Sequence, residues 1–186
     1  MKRPFKVMML LLPVLGACAI NPGSSLPDLQ ESQVHPYQLD TGDELRVIVL
    51  DDPQLSGQFK VDGTGSISIP TVPRLEARGK STAQLEQDLR TALKQGQFRS
   101  PEVSVEVVTA RPFFILGEVT RPGAYPYVPD MSVLTAVAIA GGFTYRAQGD
   151  YVSVTRKLDN EKVERRAGRS ARIEPGDVIY VFERII

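Results

Sequence analysis

Residues 113–142 read FFILGEVTRPGAYPYVPDMSVLTAVAIAGG, and this stretch decides the fold. Phe113 to Leu116 is an apolar run whose length and aromatic content suit a buried strand. Arg121-Pro122-Gly123 then signals a reversal, because proline presets φ and the glycine after it accepts a positive value. Tyr125 and Tyr127 alternate as a second strand would, and Pro126 between them confines that strand to a sheet edge. Asp130 is the expected N-cap of a short apolar helix carrying Val133, Leu134, Val137, Ala138 and Ala140. Gly141-Gly142 ends it, where a left-handed residue costs glycine nothing. No residue in the stretch carries obvious chemistry.

Working outward, the N-terminus explains the single cysteine. Met1 to Lys6 is basic, and Val7 to Leu15 is apolar but shorter than the ~20 residues a bilayer core requires. Residues 1–17 therefore read as a secretory signal. It ends in Leu15-Gly16-Ala17-Cys18, similar to a lipoprotein cleavage motif, so Cys18 is the expected lipid-attachment residue and the mature N-terminus. Several acyl chains, each buried methylene adding ~0.8 kcal/mol, would hold the protein firmly to a membrane. Ala19 at the next position agrees with outer-membrane sorting. Residues 18–36, rich in Pro, Ser, Gly and Gln, are expected to form a flexible tether, with His35 a surface residue.

From Tyr37 the chain alternates between strand signals and one helix. Glu44–Leu50 is a strand, and Gln58–Val61 and Ser66–Pro70 flank Asp62-Gly63, a strong hairpin signal. A short extended piece spans Val72–Ala77. Ser81 caps a helix with Gln84 as its capping-box partner, Leu85, Leu89, Ala92 and Leu93 form one apolar stripe, and Gly96 closes it. Pro101–Val107 alternates as a half-buried strand, and Thr109–Pro112 links it to the stretch quoted above. Beyond Gly142 come a strand at Tyr151–Arg156, a turn around Leu158–Asn160, a charged returning segment and a last strand at Val178–Phe182. Gly42-Asp43 and Gly176-Asp177 each launch a strand, which predicts similar turns in both halves. The fold class is α+β: strands with one amphipathic helix over 37–108, then one β-grasp-like module over 113–182.

Composition excludes several functions. Lys+Arg and Asp+Glu are both 22, which does not suit a nucleic-acid binder. One His and one Cys leave little from which to build a histidine metal centre, a Ser-His-Asp triad or an internal disulfide. Gly79-Lys80-Ser81 copies the tail of a P-loop, but the earlier glycine would fall at Arg74, so Ser81 reads as a helix cap. Asp51-Asp52 lies beside Pro53 in a turn rather than as the separated carboxylates of a glycosidase. No catalytic residue, metal ligand or cofactor is expected. The basic run Lys157, Lys162, Arg165, Arg166, Arg169 and Arg172 is interleaved with Asp159, Glu161 and Glu164. It reads as a solvated hairpin, with contact to an anionic glycan or to a neighbouring subunit as the functional alternative.

Taken together, these residues resemble the bacterial polysaccharide export family, the Wza-type outer-membrane lipoproteins. The first half resembles the export domain through Tyr37, Gly42-Asp43-Glu44-Leu45, Val61-Asp62-Gly63, Ile69-Pro70, Gly79, Leu85, Leu89 and Pro101–Val105. The second half resembles one soluble-ligand-binding β-grasp module through Gly117-Glu118-Val119, Pro122-Gly123, Val133–Ala136, Ala140-Gly141-Gly142, Arg156 and Pro175–Ile179. The resemblance implies a non-enzymatic, lipid-anchored export component facing the periplasm and forming a homo-oligomeric ring, often of eight subunits. It also implies partners: the polysaccharide, an inner-membrane co-polymerase and a separate outer-membrane pore. The family's largest members carry more β-grasp modules and a C-terminal spanning helix. Only Glu183–Ile186 follow the last strand here, so a self-made pore is not expected. The other reading is a glycan-binding module without a conduit.

Overall fold

The structure is a computed structural model and is described over residues 22–29, 37–96, 98–158 and 161–185. Two hydrophobic cores follow one another along the chain. The first draws on residues from Leu39 to Val105 and the second on residues from Phe113 to Val181.

In the first core, β1 (Glu44–Val49) lies between β2 (Gly57–Lys60) and β5 (Val103–Thr109), antiparallel to both. Alternation along β1 sends Leu45, Val47 and Val49 inward. The helix α1 (Thr82–Gln95) covers that face with Leu85, Leu89 and Leu93, and truncating any of these to alanine costs roughly 2–5 kcal/mol. Its N-terminus is the capping box read from Ser81 and Gln84. The helix also shields the free edge of β5: Glu86 accepts from the Val105 amide at 2.9 Å and Arg90 donates to the Val103 carbonyl at 2.8 Å. The hairpin expected across Asp62-Gly63 does not form. Instead β2 pairs with β1, while β3 (Ser66–Ile67) pairs with β4 (Leu75–Glu76). The Asp62 carboxylate collects the Thr64 amide at 2.8 Å and the Ser66 amide at 3.2 Å, so the turn closes on that side chain and redirects the strand after it.

The second core lies under a five-stranded sheet ordered β7-β6-β10-β8-β9. Its strands are β6 (Phe113–Gly117), β7 (Gly123–Tyr125), β8 (Tyr151–Leu158), β9 (Glu161–Gly168) and β10 (Val178–Val181). β10 runs parallel to β6 and antiparallel to β8, with α2 (Val133–Ile139) contributing Val133, Ala136 and Val137 to the core. Four local expectations are corrected. Phe113–Leu116 is only half buried: Phe113 and Ile115 face the core, whereas Phe114 and Leu116 lie on the open face. The glycine with positive φ is Gly117 at +84°, not Gly123, which already belongs to β7. A Cβ at Gly117 would strike the Val181 carbonyl oxygen, so the close approach of β6 to β10 demands glycine there. The N-cap of α2 is Ser132, whose hydroxyl accepts from the Thr135 amide, while Asp130 takes a φ of +63° and pairs with Arg172. At the other end the glycine stop forms a Schellman motif, with Gly142 donating to Val137 and Gly141 to Ala138.

The fourth correction concerns residues 22–29, which belong to the stretch expected to be a loose tether. The Leu29 amide donates to Arg166 and the Arg166 amide to Pro27, so this segment extends the sheet beyond β9. Asp28 pairs with Arg166 at 2.7 Å, and Leu29 reaches the second core. The physical reason is the edge of β9, whose unpaired backbone groups accept a partner strand.

Candidate functional site

The two glycine–aspartate pairs fold alike, as their sequences predict. Gly42 and Gly176 have φ of +99° and +87°. In each turn the aspartate amide donates to the carbonyl three residues back, and the carboxylate accepts from that residue's amide: Asp40 to Asp43 at 2.9 Å, Glu174 to Asp177 at 2.7 Å. Both carboxylates are buried, at 0% and 1% exposure.

A buried carboxylate needs a cation. Asp177 receives it from its own sheet: Arg156 on β8 donates Nε to Oδ1 at 3.0 Å and Nη2 to Oδ2 at 2.7 Å, a bidentate fork. Burial pushes the Asp177 carboxyl above the usual range, against the pull of these bonds. Asp43 receives its cation from the linker. The Arg111 amide donates to Oδ1 at 2.9 Å and its Nη1 to Oδ2 at 3.2 Å, with the guanidinium 5.8 Å from the Tyr37 ring centroid. Burial and the bond to Asp43 raise the pKa of the Tyr37 hydroxyl well above its ordinary value. The Gly176 amide donates to Pro112, so both turns meet the linker at neighbouring residues. Lys157 on β8 adds a second tie between the halves by pairing with Asp40 at 3.1 Å.

Lys157 is thus engaged in an ion pair while its side chain stays 41% exposed, and most of the other basic residues of the run have partners of their own. Arg166 is held by Asp28, Arg169 by Asp150 and the Gly149 carbonyl, and Arg172 by Asp130. Lys162 and Arg165 have no acidic partner among the described residues; register places Lys162 opposite Lys157 and Arg165 opposite Val154, so they leave opposite faces of β9. Cys18, with Leu15, Gly16 and Ala17, lies outside the described residues. Asp52 accepts the Gln54 and Leu55 amides in a turn, and Lys80 pairs with Asp88. Among the described residues no cluster of three His, Cys, Asp or Glu side chains could hold a metal ion, and no helix is long and apolar enough to cross a membrane.

Sequence reasoning missed the open side of the second sheet. Phe114, Leu116 and Tyr180 stand exposed on it, beside a shallow cleft of about 710 Å³ lined by Tyr145, Phe182, Arg146 and Arg184. The signal was present in the alternation of Phe114, Leu116, Tyr180 and Phe182, but alternation does not say which face is covered.

Comparison with known proteins follows the two cores. Residues 31–108 match the polysaccharide biosynthesis/export protein family, and residues 112–167 match the SLBB domain. The chain belongs to the polysaccharide export family. The chain is 33% identical over 197 aligned residues to the exopolysaccharide production protein ExoF of Rhizobium meliloti (strain 1021), covering 94% of this chain and 45% of the relative. It is 29% identical over 126 residues to the polysialic acid transport protein KpsD of Escherichia coli, covering 67% of this chain and 22% of the relative. The chain thus spans less than half the length of the curated relatives it matches.

Proposed function

We propose that this chain is a non-enzymatic, lipid-anchored component of a capsular or exopolysaccharide export machine, held at the outer membrane and facing the periplasm. An export unit over 37–108 and a β-grasp module over 113–182 form its folded part, and Cys18 after Leu15-Gly16-Ala17 carries the anchor. The observation that carries the reading is that the export and SLBB matches lie consecutively on one chain whose two units are tied through Arg111–Asp43 and Lys157–Asp40. A protomer built this way offers unlike faces to its neighbours. The first presents exposed Ile48, Leu50 and Val108; the second offers the β7 edge together with Lys162 and Arg165, which have no acidic partner among the described residues. A head-to-tail contact between unlike faces closes into a ring when the rotation permits. Polymer would pass from an inner-membrane co-polymerase through such a ring to a separate outer-membrane pore.

Two measurements test this. Wild-type chain should take up labelled fatty acid while Cys18→Ser does not; equal labelling would remove the anchor. Mass photometry of the detergent-solubilised lipoprotein should show a closed cyclic oligomer with rising concentration. A monomer at every concentration would leave a glycan-binding module without a conduit.

A further inference from the structure

The open face of the second sheet borders the described start of the N-terminal segment, at Pro22 and Gly23. The residues that face outward along β6 and β10 are Phe114 and Leu116, paired in register with Val178 and Tyr180. Tyr180 packs edge-on to Phe182 with centroids 5.2 Å apart, and Phe182 approaches Tyr151 at 6.1 Å. Beside them Tyr145 is 87% exposed and Ile185 more than half exposed. Arg146 and Arg184 stand at the rim; Glu183 is matched by Arg146, and Arg184 has no acidic partner among the described residues. A contiguous patch of this kind marks an interaction surface rather than scattered apolar residues.

The N-terminal segment leads to the same place. After leaving the β9 edge it crosses the outer face, where Tyr151 donates its hydroxyl to the Pro22 carbonyl at 2.9 Å and Gly23 lies against the Phe182 ring. Pro22 itself lines the aromatic cleft. Cys18 is four residues upstream, and four residues of extended chain span at most about 14 Å. A lipid on Cys18 therefore holds the cleft within one short reach of the bilayer surface.

We infer that this face, Tyr145, Tyr180, Phe182 and Ile185 with Arg146 and Arg184, seats in the interfacial layer of the membrane to which the chain is anchored. The inference rests on the lipidation of Cys18 proposed above. The chemistry matches the interface: tyrosine and phenylalanine rings suit the headgroup level, and arginines attract anionic headgroups. A sugar site would instead gather several polar groups in a cleft that buries its ligand. Here the cleft is shallow and open, and one of its two arginines is already paired with Glu183.

The chain has no tryptophan, so single reporters are clean. The full lipidated chain carrying Tyr145→Trp, and a second carrying Leu134→Trp on the exposed side of α2 across the sheet, would be reconstituted into phosphatidylethanolamine–phosphatidylglycerol vesicles. Flotation reads the anchor, and quenching by lipids brominated on the upper acyl chain reads the face. The expected result is that both variants float and that the residue-145 reporter is quenched severalfold more than the one at 134. Flotation with equal quenching keeps the anchor and overturns the face. Failure to float overturns the anchor, and the face falls with it. If a soluble acidic polysaccharide without vesicles shields the 145 reporter from iodide, the cleft belongs to the polymer and the inference is overturned.

Discussion

The turns at Gly42-Asp43 and Gly176-Asp177 are near copies, yet their aspartates are neutralised from different places. Arg156, on a strand of the same sheet and with a side chain only 6% exposed, serves Asp177. Arg111, in the linker and 23% exposed, serves Asp43. The pairing each turn launches also differs. Asp43 begins an antiparallel contact, its carbonyl accepting from the Val61 amide, whereas Asp177 begins a parallel one by accepting from Phe114. The difference teaches that one local device closes a sheet in the second unit and fastens two units together in the first. A buried carboxylate imposes a need for a cation without dictating which segment supplies it.

The largest effect that would break this comparison is expected from Arg156→Ala. It leaves Asp177 buried with its main cation gone, a loss of roughly 3–5 kcal/mol. Urea titration read by hydrogen exchange should show β8 and β10 opening early while β1 and β5 hold; uniform loss across both sheets would mean that the second turn is not private to its own unit. Arg111→Ala is milder, about 1–3 kcal/mol, because the backbone amide at 111 still serves Asp43. Its signature is exchange at the Asp40–Asp43 turn and at the linker together. Protection unchanged at either one would break the link drawn here.

The glycines sharpen the contrast. Both have positive φ, so alanine at either costs on the order of 1 kcal/mol. At Gly42 the new Cβ meets only the Arg111 Cβ at 3.7 Å, whereas at Gly176 it meets the Arg111 Nε at 2.8 Å. Gly176→Ala should therefore also raise exchange at the Asp40–Asp43 turn through Arg111, and Gly42→Ala should leave the Glu174–Asp177 turn alone. A symmetric outcome would contradict the arrangement.

The smallest effect is a pH dependence of opposite sign in the two turns. Burial opposes it, but the Thr41 amide and Lys157 hold the Asp40 carboxyl below the usual range. A depressed carboxylate stabilises the fold above its unfolded pKa of about 3.9, and that contribution is lost as pH falls through the lower folded value. Asp177 is shifted upward, so its contribution is fully present below about 3.9 and is lost as pH rises through its folded value. The gap in urea midpoint between wild type and Asp40→Asn should therefore narrow from pH 5 downward. A gap that stays constant to pH 3 would remove Asp40–Lys157 as a tie between the units.

How much of this was legible depended on distance along the chain. Ser81 and Gln84 are three residues apart, so the capping box needs nothing beyond its own turn. Gly141-Gly142 closes α2 on carbonyls within five residues, and alternation in Val103–Val107 and the paired Gly-Asp signals needed only neighbours as well. These features follow from φ preferences and hydrogen bonds that a short segment makes with itself. Tertiary structure decided the rest. β2 turned to β1 rather than to β3 because the Asp62 side chain closes its own loop. Asp130 yielded the N-cap to Ser132 while pairing with Arg172, more than forty positions away in sequence. Likewise, residues 22–29 read as a tether because nothing near them wants a strand, and only the folded edge of β9 provides one. The open aromatic face belongs to the same class. The alternation of Phe114, Leu116, Tyr180 and Phe182 is visible in the sequence, but which side a helix covers is set by packing among distant segments, and that exists only once the chain has folded.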